Sequence, residues 1–171
     1  MKLNLGCGNK KIDSYTGVDF ICNDNVDIVH DLNLFPYPFG DGTIDEILMD
    51  NVLEHLNDLI AVMEELDRIL KPGGILKINV PYAKSDGAFK DPTHKHFFTE
   101  RTFQYFSENY EYNYYSKARF KIKKLKFISW NNSFGQKIRN LIPARSFLKY
   151  FLLNMYDELY FELESVKKPK I

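Results

Sequence analysis

The feature that most restricts the fold is a strand, a helix and a second strand between residues 44 and 80. Two short apolar runs, Ile44–Met49 and Ile75–Val80, flank an amphipathic segment at Asn57–Leu70. Along that segment Leu59, Val62, Leu66 and Ile69, with Ile60, Met63 and Leu70, make one apolar stripe, while Glu64, Glu65 and Arg68 point outward. Asn57 or Asp58 can accept from the free N–H groups of the first turn. Lys71 suits the negative end of the helix, and Pro72-Gly73-Gly74 stops it before the next strand. A unit of this kind is a right-handed crossover between parallel strands.

Further strands are expected at Lys2–Leu5, Tyr15–Phe20 and Val26–His30. None alternates strictly, as expected of parallel strands covered on both faces, so the first half reads as an open parallel α/β sheet. The second half differs. Glu100–Glu108 reads as a short helix, and Phe134–Met155 as a broken helical region interrupted at Pro143. Ala118–Ile128 alternates, with Phe120, Ile122, Leu125 and Phe127 inward. Glu158–Lys167 alternates too, with Leu159, Phe161, Leu163 and Val166 on one face. Two alternating strands joined by a long excursion imply an antiparallel pair at the sheet edge.

The 171 residues fit one domain, with the parallel half at 1–83 and the differently patterned half at 84–171. Formal charge is zero but divided: the first half holds six basic and fourteen acidic side chains, the second seventeen basic and nine acidic. That polarity suits an anionic substrate or partner for the basic half, or simply a solvated basic face. Cys7 and Cys22 form no CxxC pair, which argues against a disulfide framework or a zinc site built on cysteine. The N-terminus leads straight into a strand with no signal-peptide pattern, and no apolar run approaches the ~18 residues of a membrane span. A cytoplasmic location is the expectation.

The first strand ends in Gly6-Cys7-Gly8, and an acid, Asp19, closes the second strand only eleven residues after Gly8. Gly-x-Gly lets backbone approach a ligand closely, and an acid at that place can accept both hydroxyls of a ribose. The third glycine of the dinucleotide fingerprint is absent, since position 11 is lysine, and the acid comes too early for a full crossover helix. An adenosine-containing ligand fits; a pyrophosphate on a long helix start does not.

"LNLGCGN", "GVDF", "HDLNLFPYPFGDGTIDEILMDNVLEHL" and "LKPGGILKINVP" resemble successive motifs of class I S-adenosylmethionine-dependent methyltransferases. The similarity is greatest to a small branch of predicted enzymes associated with polysaccharide synthesis, and it covers about residues 2–81. "DPTHKHFFTERTF" and "YFELESVK" resemble the same branch less specifically. The resemblance implies a Rossmann-like, mostly parallel α/β sheet of about seven strands, with an antiparallel C-terminal strand and a shortened first helix. It implies S-adenosylmethionine as cofactor, S-adenosylhomocysteine as product, and a small-molecule acceptor such as a sugar or glycan precursor. Gly6, Cys7, Gly8 and Asn9 would line the methionine portion, Asp19 would bind the ribose hydroxyls, and Phe20 would pack near the adenine. Asp31 would take the adenine amino group with the Leu32 backbone nearby. Asp50 and Asn51 would face the methionine end or the acceptor. The branch often has an acid where this chain has Asn4.

The catalytic candidates are Asp91, His94 and His96, in a proline-containing loop after the fifth strand. An imidazole there can take a proton from a hydroxyl acceptor, with Asp91 orienting it. The same trio offers normal metal ligands, although no metal is assigned. Glu54 and His55, as neighbours on a helix, would not share a face, so a structural role is expected for His55. His30 at a strand end reads as structural too.

"YEYNYYSKARFKIKKLKF" could stack bases and contact phosphates, but its alternation reads as an edge strand with solvated lysines, so nucleic acid is not the expected partner. "RSFLKYFLLNMY" could lie on a membrane, but being short and beside a proline it is expected to cover the sheet or make a dimer contact. RNA methylation, and a non-catalytic role as a partner subunit, are the alternative functions.

Overall fold

The structure, a computed structural model, describes residues 1–167. Seven strands form one mixed sheet: β1 (Lys2–Leu5), β2 (Thr16–Asp19), β3 (Ile28–Val29), β4 (Ile44–Asp50), β5 (Leu70–Pro81), β6 (Phe120–Ile128) and β7 (Glu158–Ser165). Their order is β3-β2-β1-β4-β5-β7-β6. The first five are parallel, and β7 runs antiparallel between β5 and β6. This is the expected α/β, Rossmann-like sheet with its antiparallel C-terminal pair.

The core runs through the strand centres. Leu3, Leu5, Ile47, Met49, Leu76, Ile78 and Val80 are fully buried, and helix α1 (Leu59–Ile69) adds Val62, Met63, Leu66 and Ile69. Each contributes about 1.5–3 kcal/mol relative to exposure. The Asp58 side chain caps α1 by accepting the Ala61 N–H at 3.0 Å. Phe98, Phe103 and Phe106 pack with the C-terminal strands, Phe103 edge-on to Phe161 at 4.7 Å.

Several expectations need correction. The first crossover is more than shortened: residues 6–15 run through turns with no helix. β3 is two residues long, where five were expected. Glu65 does not point outward; it is buried, accepting the Tyr37 N–H at 2.6 Å and paired with Arg68. β5 starts at Leu70, opposite Ile44, and resumes with Ile75 opposite Glu46, so Lys71–Gly74 bulges out instead of separating helix from strand. Gly73, with φ of +77°, makes that excursion possible. The expected helix at Glu100–Glu108 is a 3-10 segment, Thr102–Phe106. In β7 the fourth inward residue is Ser165, not Val166.

β6 keeps its expected inward residues through a bulge. Ile122 pairs with Leu163 and Lys124 with Glu162, leaving Lys123 as the extra residue that puts Leu125 back on the inner face. The region after β6 forms α2 (Phe134–Asn140) and α3 (Arg145–Leu148). Met155 is buried and Tyr156 packs against Phe127 of β6, but most apolar side chains of this region do not cover the sheet. Phe134, Ile138 and Leu141, at helical spacing on one face, are exposed, as are Phe147, Phe151 and Leu153. Among the described residues, no helix is long and apolar enough to cross a membrane.

Candidate functional site

The parallel strands β1, β2 and β4 end at one rim of the sheet, so the residues just beyond them converge there. After Leu5 the chain turns through Gly6 (φ +70°) and Gly8 (φ +53°). A Cβ on Gly6 would stand 2.5 Å from Val52, so packing alone requires glycine at that position. A Cβ on Gly8 would meet nothing within 4 Å; here only the backbone conformation favours glycine.

Asp19, at the end of β2, is 7% exposed. One of its carboxylate oxygens accepts the Gly8 N–H at 2.8 Å and the other the Ile21 N–H at 3.2 Å. Turn and acid lie close in sequence because they are tied directly to one another. A carboxylate has about four acceptor sites, so roughly two stay open. Asp19 borders a cleft of about 450 Å³ that also contains Gly6, Phe20, Asp31, Leu32 and Asn51. Phe20 is 68% exposed. Asp31 uses one oxygen on the backbone and side-chain N–H groups of Asn33, at 2.9 and 3.0 Å. The Leu32 carbonyl accepts the Tyr37 hydroxyl at 2.9 Å.

Cys7, Gly8, Asn9 and Asp50 border an adjoining cavity of about 270 Å³, together with the buried Asn4. Here the Lys10 ammonium lies 2.8 Å from Asp50. Burial works to raise the Asp50 carboxyl, but hydrogen bonds from Lys10 and Asn79 prevail and hold it below its ordinary range. The Asn51 and Asn79 amides each donate to both Asp50 and Glu158, at 2.8–3.2 Å, fixing two carboxylates side by side. No sequence signal pointed to Glu158; only the antiparallel return of β7 brings it to this rim.

A third cavity, of about 180 Å³, shares Asn51 and His55 with the main cleft and contains Glu54, Asp91, His94 and Trp130. Glu54 is 1% exposed and neither carboxylate oxygen has a hydrogen-bond partner. Burial, then the neighbouring Glu158, Asp50 and Asp91 charges, push its carboxyl up to about 7. Glu54 and His55 sit in a 3-10 turn, Leu53–His55, and a ring nitrogen of each of His55 and His94 lies within 4.8 Å of a Glu54 oxygen and of the other. The expectation that Glu54 and His55 point apart therefore fails: the α-helical face rule does not apply to this turn. Burial and the nearby His94 lower the His55 pKa.

His94 Nδ1 lies 2.9 Å from the Ala88 carbonyl oxygen, and its Nε2 is 4.0 Å from Asp91, too far for a hydrogen bond. His96 borders none of these three cavities, and its Nε2 is 2.9 Å from the Leu56 carbonyl oxygen. His30 contacts the Leu34 carbonyl at 3.0 Å.

A family model described as a methyltransferase domain matches residues 10–78. Among solved structures, a SAM-dependent methyltransferase from Archaeoglobus fulgidus superposes with a TM-score of 0.63 at 19% identity, over 96% of this chain and 85% of that one. A SAM-dependent methyltransferase from Methanosarcina mazei gives 0.60 at 15% identity, over 98% and 92%. The complex between the Haloferax volcanii Trm112 methyltransferase activator and a methyltransferase gives 0.61 at 13% identity, over 99% and 83%. The fold is that of the S-adenosylmethionine-dependent methyltransferases. The domain match falls within the first half of the chain, on the segment that carries the glycine turn's exit, Asp19 and the crossover unit. No curated protein matches the sequence.

Proposed function

We propose that this chain methylates a hydroxyl of a sugar or glycan precursor carried on a lipid. The observation that carries the donor assignment is Asp19: a buried carboxylate fixed by two backbone N–H groups, with acceptor capacity left over, at the edge of a ligand-sized cleft. Its free lone pairs suit the two hydroxyls of a ribose, and the bare Phe20 ring beside it suits an adenine face. Asp31 has one oxygen left for an exocyclic amine. The Asp50 carboxylate, which now holds the Lys10 ammonium, would take the α-ammonium of the donor in its place. The residues thus fit the cofactor.

Bound donor supplies an activated methyl group on a sulfonium, so the protein's task is chiefly to align the acceptor and exclude water. The cavity around Glu54 and His94 opens beside the donor cleft through Asn51 and His55, and we assign it to the acceptor. With no cation present, the acceptor's hydroxyl proton passes to His94 Nε2, while the Ala88 carbonyl fixes the ring through Nδ1. Asp91 supports the site through Thr93. His96, engaged with Leu56, is left with a loop-ordering role in this scheme.

A lipid-linked acceptor is favoured over RNA by the surface after β6. Residues 112–156 contain ten basic side chains and no acid, and in the same stretch the apolar face of α2 and the side chains after α3 are bare. Exposed rings such as Tyr114, Tyr115 and Tyr150 stand among these cations, as single-strand RNA binding also requires, but the bare aliphatic side chains Ile138, Leu141, Leu152 and Leu153 offer nothing to a nucleic acid and suit an anionic bilayer.

Calorimetric titration with S-adenosylhomocysteine tests the donor site. Binding is expected in the wild type, with at least about a hundredfold loss in Asp19→Ala, in line with removing a doubly used buried charge. Full affinity in the variant would refute the ribose assignment.

A further inference from the structure

The tautomers of His55 and His94 follow from their partners. The Ala88 carbonyl can only accept, so His94 Nδ1 carries the hydrogen and donates it. The Thr93 hydroxyl gives its one hydrogen to Asp91, at 2.7 Å, so its oxygen accepts from His55 Nδ1 at 2.9 Å. Both rings therefore keep a bare lone pair on Nε2. Glu54 adds two carboxylate oxygens with no donor, in a residue 99% buried, bordering the same cavity. Three electron-pair donors converge, and no protein hydrogen bond satisfies them.

We propose that Glu54, His55 and His94 bind a divalent first-row transition ion of the zinc or cobalt type. Two imidazoles and one carboxylate select such an ion over magnesium or calcium, which prefer all-oxygen sites. Orientation of a ligating histidine by a hydrogen bond from its other ring nitrogen is the usual supporting arrangement, and here both rings have it. The three ligand atoms lie within 4.8 Å of one another. A tetrahedral ion with bonds of about 2.1 Å needs them about 3.4 Å apart, so side-chain rotations of about 1.4 Å or less complete the site. All three ligand residues border the cavity beside the donor cleft, so an acceptor oxygen held there can become the last ligand and lose its proton more readily.

Ion binding does not depend on the donor assignment, so the two are tested apart. Untagged protein, stripped with chelator, is titrated with cobalt(II) while its visible absorption is followed. One equivalent should bind with the bands of a nitrogen–oxygen site, and zinc should displace it. Glu54→Gln and His94→Gln should each weaken cobalt binding by more than about a hundredfold, beyond the range of supporting residues, while S-adenosylhomocysteine affinity, a check that the variants fold, stays the same. Asp91→Asn, which acts on His55 through Thr93, should weaken it less, within the roughly 10- to 100-fold range of supporting residues. No stoichiometric uptake, equal affinity in all three variants, or a sulfur-to-cobalt band placing the ion at the exposed Cys22 would overturn the proposal. Loss of S-adenosylhomocysteine binding in the wild type alone would instead overturn the donor assignment and leave the ion site standing.

Discussion

At the scale of single residues, the candidate site is built from carboxylates in contrasting surroundings. Asp19 and Asp50 are supplied with hydrogen-bond donors; Glu54 has none. A buried polar group left unpaired costs about 1–3 kcal/mol, and an anion costs more. In chelator-treated protein, Glu54→Met should therefore raise thermal stability, by a few degrees for each kcal/mol recovered in a chain of this size. Scanning calorimetry checks the sign, and a fall in the transition temperature would mean that the carboxylate is satisfied in solution. A stability gain on removing a residue marks a position kept for function. The sequence showed the glycine turn and Asp19 because both belong to one short segment. It could not show that Glu54 meets His94, since the loop after β5 brings them together across forty residues.

Among the elements, α1 carries a second lesson. Its apolar stripe was legible from periodicity and its cap narrowed to Asn57 or Asp58, of which Asp58 serves, yet Glu65, placed outside by the same periodicity, is turned in. It clamps the Tyr37 backbone and receives two hydrogen bonds from Arg68, at 2.6 and 2.8 Å. Burial opposes the charge on Glu65, but Arg68 and the Tyr37 N–H outweigh it and hold the pKa below its ordinary 4.5. Because the folded value is depressed, the stabilisation is complete above about pH 4.5 and is lost as pH falls through the lower folded value. Glu65→Gln should cost about 1.5–3 kcal/mol near neutrality, and the gap from wild type should close in acid. Denaturant melts at several pH values measure this, and a gap that persists at low pH would contradict it. The paired C-terminal strands were legible from alternation, and even the skipped step between Ile122 and Leu125 was in the pattern, where the Lys123 bulge absorbs it. The start of β5 was not, because proline and glycines ordinarily end a strand, whereas here the Lys71–Gly74 excursion is spliced between two paired segments.

On the scale of the whole molecule, the five parallel strands and the rim with the glycine turn and Asp19 follow from the first eighty residues, while the surface after β6 leaves most of its apolar side chains bare instead of covering the sheet. The Ser133–Gln136 capping box and the Arg139–Asp157 ion pair hold α2 in place, yet they leave its apolar face turned to water. If an anionic bilayer takes that face, the protein should co-sediment with vesicles containing phosphatidylserine, and added salt should weaken the association. Leu141→Glu combined with Phe151→Glu should abolish it without affecting donor binding. Absence of sedimentation with anionic vesicles at low salt would leave the lipid-linked acceptor without support. The division of charge has a plainer consequence. A chain with sequence pI near 6.9 carries no net charge near neutrality, while acids are in excess over residues 1–83 and bases over residues 84–171. Nothing then keeps two copies apart, and oppositely charged stretches attract. Its solubility should pass through a minimum at that pH and improve with ionic strength, a salting-in behaviour usual for dipolar ions and contrary to that of strongly charged proteins.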